Sequence, residues 1–215
     1  MLNKQGFDLW AGQYDKTVQL SEENNQYPFA GYKEILNTIY NEIRERENSE
    51  VLDIGFGTGI LASQLYENGH QIDGIDFSSE MIAIAKAKMP EANLLEWDIT
   101  EGLPNELAGR KYDAIVSTYA LHHLSDEQKV DFLKNLRPLL KAEGKIYIGD
   151  IAFQTRADLE KCRKDSESYW DESEHYFVYE EIKNSLENLF HCEFYPLSHC
   201  GGVIVLDPEA TRWKR

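Results

Sequence analysis

Short apolar runs alternate with helical spacing through the middle of the chain, and each unit is closed by glycine, proline or a polar cap. Residues 51–54 are apolar around Asp53 and end at Gly55, which predicts a buried strand. From Thr58 the period changes. Ile60, Leu61, Leu65 and Tyr66 fall three and four apart, and Gly69 closes a predicted helix. Residues 71–76 read as a second strand. Ser78 or Ser79 then caps a helix carrying Met81, Ile82 and Ala85, which stops before Pro90. Residues 92–97 and 112–117 are the third and fourth strands. Ser125 and Gln128 have capping-box spacing and open a helix bearing Val130, Leu133 and Leu136, with Pro138 placed to kink its end. After Gly144, residues 145–150 are the fifth strand.

Strands alternating with helices imply a mainly parallel sheet covered on both faces, and right-handed crossovers leave the doubly wound α/β sheet as the expected fold. The flanks differ. Residues 1–45 read as helical, with Phe7, Trp10 and Tyr14 on one side of the first stretch and Ile35, Ile39 and Ile43 four apart in the next. Residues 152–189 also read as helical, first over the charged stretch 156–169 and again over 177–189 around Ile182, Leu186 and Leu189. Residues 192–197 and 203–206 are strands around a turn at Gly201-Gly202. So short a connection makes that pair antiparallel. The total is a Rossmann-like sheet of seven strands, mostly parallel, with the last antiparallel. It forms a single domain with a helical N-terminal cover and a second cover after strand five.

Composition narrows the partners. The chain has 215 residues, 42% hydrophobic and 28% charged, with a formal net charge of -16. That field repels phosphate backbones and anionic lipid, so neither nucleic acid nor a membrane is expected as a partner. No apolar run reaches the roughly 20 residues of a membrane span, and residues 1–16 lack a signal-peptide pattern, so a cytoplasmic location is expected. Cys162, Cys192 and Cys200 make no C-x-x-C pair. They read as three separate thiols rather than a disulfide framework or a metalloid site, and no metal site is expected.

Chemistry concentrates at three successive strand ends. Gly55, Gly57 and Gly59 lie between a strand and a helix, where a ligand can approach the main chain and meet free N–H groups. Asp76 ends the second strand, placed to accept ribose hydroxyls, and Asp98 follows the third, placed near an adenine amino group. The spacing is not the dinucleotide fingerprint, because Ile60 follows Gly59 and the third glycine comes one position early. No G-K-[ST] follows either, so a P-loop is excluded.

These segments resemble the class I methyltransferases that use S-adenosylmethionine (SAM), in particular small bacterial members acting on small molecules. Glu50-Val51-Leu52-Asp53-Ile54-Gly55-Phe56-Gly57-Thr58-Gly59 looks like the first motif, with Asp53 at its acidic position and Phe56 where a small residue is usual. Gly74-Ile75-Asp76-Phe77-Ser78-Ser79-Glu80-Met81 looks like the second, and Glu96-Trp97-Asp98-Ile99 like the third. Residues 112–124, through Ser117 and Leu121-His122-His123-Leu124, resemble the fourth. Phe7 to Asp15 resembles a segment that closes over the cofactor.

The resemblance implies SAM as methyl donor, with its demethylated product S-adenosylhomocysteine (SAH). It implies cofactor contacts from Tyr14, Asp53, Gly55, Gly57, Gly59, Asp76, Phe77, Met81, Asp98, Ile99 and Ser117. It also implies a cofactor-binding core over 48–150, an N-terminal lid over 1–45, a substrate cover over 152–189 and a C-terminal hairpin over 190–207. The acceptor is expected to be a small molecule and the protein a monomer or homodimer. His122 and His123 are the candidate catalytic groups, with at most one entering the pocket. Tyr119, His175 and Tyr176 are weaker candidates. A non-catalytic SAM-binding regulator and a nicotinamide-linked oxidoreductase are the alternatives.

Overall fold

Caps and glycines set the element boundaries. The computed structural model describes residues 14–208, apart from the side chains of residues 14, 15, 17 and 19. Helices α1 (Tyr14–Glu23) and α2 (Tyr32–Arg44) precede β1 (Glu50–Ile54). Then come α3 (Ile60–Glu67), β2 (Gln71–Asp76), α4 (Ser79–Lys88), β3 (Asn93–Glu96) and β4 (Tyr112–Thr118). Next are α5 (Asp126–Leu136), β5 (Leu140–Phe153), α6 (Arg156–Asp165), β6 (Phe177–Val178) and α7 (Tyr179–Leu186). Strands β7 (His191–Pro196) and β8 (Gly201–Asp207) follow. Ser78 caps α4 by accepting from the Met81 N–H. The Ser125–Gln128 capping box opens α5, and a second box, Thr155 with Asp158, opens α6.

The strand order is β3-β2-β1-β4-β5-β8-β7, with two-residue β6 beside β5. Strands β1 to β5 pair in parallel, and β8 is antiparallel to both β5 and β7. The expected seven strands are present, and β6 adds an eighth inside the cover. The order reverses between β1 and β4, so the carboxyl ends of these strands border the crevice where doubly wound sheets bind ligands.

Both sheet faces are buried. Val51, Ala114, Val116 and Tyr147 face one core together with α2, α3 and α6 side chains. Their neighbours Leu52, Ile54, Ile115, Ile146 and Ile148 face the other, with Phe132, Leu133, Ile182 and Leu186. This is the period of two that makes a doubly covered strand read as a continuous apolar run. Helix α2 buries Ile35, Ile39 and Ile43. It sits so close to β5 that a side chain at Gly149 would meet Ile35 Cγ2 at 2.5 Å. Truncating a buried isoleucine such as Ile39 to alanine costs about 2–5 kcal/mol.

Several expectations change. Gly201 and Gly202 are the first residues of β8 rather than the turn. A Cβ at Gly202 would lie 2.5 Å from Tyr195 O, so close packing inside the hairpin is what demands glycine there. Helix α5 ends at Leu136 and continues as a 3₁₀ turn, Arg137–Leu139, because Pro138 lacks the N–H a further α-turn needs. The charged helix stops at Asp165, so the expected helical cover over 152–189 is not continuous. Phe177 and Val178 pair with β5 instead of starting a helix. His70 is buried just before β2, where its Nδ1 accepts from the Ser49 N–H at 3.1 Å. Two of the three thiols are neighbours: Cys162 and Cys200 share a hydrogen bond that holds Cys162 below the usual thiol range. Phe7, Trp10 and the Tyr14 side chain lie outside the described residues.

Candidate active site

The first half of the site is main chain. The turn after β1 holds Gly55, Gly57 and Gly59 at φ 68°, 55° and 75°. Gly55 donates to Ile75 O at 2.7 Å, which locks the turn to β2. A Cβ at Gly55 would lie 2.3 Å from Ala120 Cβ, so this glycine lets the segment after β4 close in. Gly57 is different, because a Cβ there would meet no atom within 4 Å. Phe56 turns the other way and packs over Gly74, where a side chain would meet its ring at 2.6 Å.

Two carboxylates lie around this turn. Asp76 accepts from the Gly57 N–H at 2.8 Å through Oδ2 and from the Ser78 N–H at 2.9 Å through Oδ1. It therefore clamps the turn to the end of β2, a structural task the sequence reading had not given it. Asp53 is 1% exposed, and its Oδ1 is buried with no hydrogen-bond partner among the described residues. Burial first, and the charge on Asp76 second, push its carboxyl up to about 8. A buried acid of this kind, on the strand that leads into the glycine turn, fits a ligand that carries positive charge.

The other candidates line the same crest with different degrees of access. Phe77 and Ile99 are half-buried, Met81 is buried on the first turn of α4, and Asp98 is exposed. Asp98 caps the 3₁₀ turn Ile99–Glu101, accepting from the Thr100 N–H at 2.9 Å and its hydroxyl at 2.7 Å. The Ser117 hydroxyl donates to Ile54 O at 2.9 Å and ties β4 to β1. Tyr119, left-handed at φ 52°, sits with its ring 5.2 Å from that of Phe29 and 5.3 Å from that of Tyr32. Tyr32, Thr118, Tyr119 and the glycine turn line one cleft, so α2 walls the site.

The second half is built from side chains. His122 and His123 lie on the 3₁₀ turn Leu121–His123 directly after β4. His122 is buried, and its Nδ1 is 2.6 Å from Asp150 Oδ1 on β5. Asp150 is 1% exposed and also accepts from the Ile151 N–H at 2.8 Å. Burial pulls the His122 imidazole down, yet the charge and hydrogen bond of Asp150, with Glu174 beyond, carry it above the ordinary histidine value. His123 goes the other way, to about 3, through burial and the neighbouring His122. Glu174, from the loop before β6, brings Oε1 to 3.7 Å from His122 Nε2 and 3.9 Å from His123 Nδ1.

That loop is pinned to the turn. The His175 N–H donates to His122 O at 2.8 Å. Lys129, fully buried on α5, donates to His175 O and to Asp126 Oδ1. Tyr176 donates to Glu174 Oε2 at 2.8 Å and also bonds the Tyr27 hydroxyl. Sequence reading missed Asp150, Glu174 and Lys129. The one signal for Asp150 is a lone acid within the apolar run of β5, whereas Glu174 is hidden in a charged stretch.

Residues 51–144 match the family model of the methyltransferase domain. An uncharacterized methyltransferase of Bacillus cytotoxicus is 35% identical over 220 residues, covering 96% of this chain and 96% of its own. The chain belongs to the methyltransferase family. A second relative, from Oceanobacillus iheyensis, is 33% identical over 87% of this methyltransferase and 89% of its own length. The match sets aside the nicotinamide-linked alternative. Among solved structures, DhpI in complex with SAH superposes with a TM-score of 0.71 at 16% identity, covering 95% and 94% of the two chains. Magnesium protoporphyrin IX methyltransferase from Synechocystis PCC 6803, with bound SAH, gives 0.65 at 17% identity over 83% and 84%. Both share the fold. Among the described residues no helix is long and apolar enough to cross a membrane.

Proposed function

We propose that this methyltransferase binds SAM across the glycine turn and transfers its methyl group to a small-molecule acceptor. The observation that carries the reading is the pairing, in one strand and turn, of Gly57, where a Cβ would meet no described atom within 4 Å, with a buried Asp53 oxygen that has no hydrogen-bond partner among the described residues. SAM supplies a methyl group already activated on a positive sulfur. The protein's share is to bind, align and exclude water.

In this reading the cationic cofactor draws the Asp53 carboxyl into its charged form, which then complements it. Asp76 uses acceptor capacity beyond its two backbone bonds for the ribose hydroxyls, since a carboxylate offers about four lone-pair sites. Asp98 and Ile99 flank the adenine, Phe77, Met81 and Ser117 shape the pocket, and Tyr14 belongs to the covering segment. The core is 48–150, the lid 1–45, the substrate cover 152–189 and the closing hairpin 190–207. His122 and His123 stand at the acceptor's reacting end. The acidic surface supports a small acceptor rather than a nucleic acid or membrane, in a cytoplasmic monomer or homodimer.

The test is turnover of methyl-labelled SAM over a panel of small hydroxyl, thiol, amine and carboxylate acceptors, beside calorimetric titration with SAH. Label transfer to one acceptor class with SAH binding near one per chain is expected. SAH binding with no transfer to any acceptor would favour a regulator, and absence of SAH binding would overturn the cofactor assignment.

A further inference from the structure

We propose that His122, His123 and Glu174 form a binding site for a first-row divalent cation such as Zn²⁺. The three ligand atoms, two imidazole nitrogens and a carboxylate oxygen, all lie within 4.8 Å of one another. Glu174 Oε1 stands 3.7 Å from His122 Nε2 and 3.9 Å from His123 Nδ1. Both separations are longer than a hydrogen bond, so the groups converge on a common point without bridging it directly. A cation with bonds of about 2.0–2.2 Å spaces adjacent ligands about 3–3.5 Å apart. Binding the cation requires the three side chains to close to that spacing.

What distinguishes this cluster from an incidental ion pair is its outer support. Histidine ligands hold their second nitrogen on a carboxylate or carbonyl, which fixes the ring and frees the other nitrogen. Asp150 does this for His122, taking Nδ1 at 2.6 Å and leaving Nε2 toward Glu174. Asp150 is itself fixed by the Ile151 N–H, and its Oδ2 is buried with no hydrogen-bond partner among the described residues. Tyr176 holds Glu174 Oε2, which leaves Oε1 for the shared point. Lys129 anchors the loop through His175 O.

The donor set chooses the ion. Imidazole suits zinc, iron, nickel and copper, whereas magnesium and calcium take oxygen. Three protein ligands leave a coordination position open, as catalytic sites do. The cluster follows the carboxyl end of β4, on the crest that carries the glycine turn. On the methyl-transfer reading above, the open position faces the acceptor. It selects molecules with an oxygen or sulfur donor beside the atom to be methylated.

The experiment titrates Co²⁺ and Zn²⁺ into chelator-treated full-length protein, following visible Co²⁺ absorption and Zn²⁺ calorimetry. One ion per chain is expected, with a spectrum of mixed nitrogen and oxygen ligation. His123→Ala and Glu174→Gln should each weaken binding about tenfold or more, and Asp150→Asn by about 10- to 100-fold as an outer support. Folding of each variant is checked by circular dichroism. The substitutions reach different parts of the cluster, so those variants that stay folded decide the case. No Co²⁺ spectrum in the folded parent, or binding unchanged in both His123→Ala and Glu174→Gln, would overturn the site. SAH affinity is measured on the same samples. SAH binding without the cation removes the metal site alone, and cation binding without SAH removes the cofactor reading alone.

Discussion

The two halves of the site are made of different material. Around β1, β2 and β3 the candidate surface is backbone: a glycine turn held by its own N–H bonds to Ile75 and Asp76, with acids a short way along the same continuous stretch. Around β4 and β5 it is side chains from three segments, His122 with His123, Asp150 and Glu174, drawn together by buried charge. Backbone surfaces fail when a Cβ intrudes. Side-chain constellations fail when one partner leaves another buried and alone.

Asp150→Ala should have the largest effect on folding, about 3–5 kcal/mol, because it leaves His122 buried without its partner. Urea denaturation reads this, and a loss below about 1 kcal/mol would mean that the second half is not held by charge. Gly55→Ala follows at about 2–4 kcal/mol, from the clash with Ala120 and the left-handed backbone. The same denaturation series checks it.

Asp76→Ala should weaken SAH binding by about 1.5–3 kcal/mol through lost bonds to a charged acceptor. Unchanged affinity by calorimetry would leave Asp76 only its clamp on Gly57. Asp98→Ala should cost less than about 1 kcal/mol, since one of its oxygens already caps a turn and the residue is exposed.

Asp53 adds a pH signature. Its carboxyl is raised from 3.8 to about 8, so between those values the folded chain keeps a proton that the unfolded chain has lost. Stability of the ligand-free protein therefore falls as pH rises across that window. Asp53→Asn should flatten the fall, which denaturation at pH 5 and pH 8 compares directly. A parent curve as flat as the variant's would show that Asp53 is solvated or paired in solution.

The same difference in material explains what was legible in the sequence. A glycine turn with Asp76 and Asp98 at following strand ends is local, so spacing alone placed it. Caps at Ser78 and Ser125 fixed helix starts for the same reason. His122 could be located but not interpreted, because Asp150 lies 28 residues away and meets it only once β4 and β5 pair. Glu174 depends on the His175–His122 backbone bond and on buried Lys129, neither of which has a sequence period. Gly201 and Gly202 were misread because turn chemistry and close strand packing both call for glycine, and composition does not separate them.

Gly57 offers the most direct trial of the central claim, that the glycine turn is the cofactor's seat. Its Cβ would meet no atom of the described residues within 4 Å, so the expected folding cost of Gly57→Ala is the left-handed strain, about 1–2 kcal/mol. Calorimetric titration of SAH into the folded variant should show affinity reduced at least tenfold against the parent, because the new methyl group occupies the ligand's space. Equal affinity in parent and variant would contradict the account and move the cofactor off the turn.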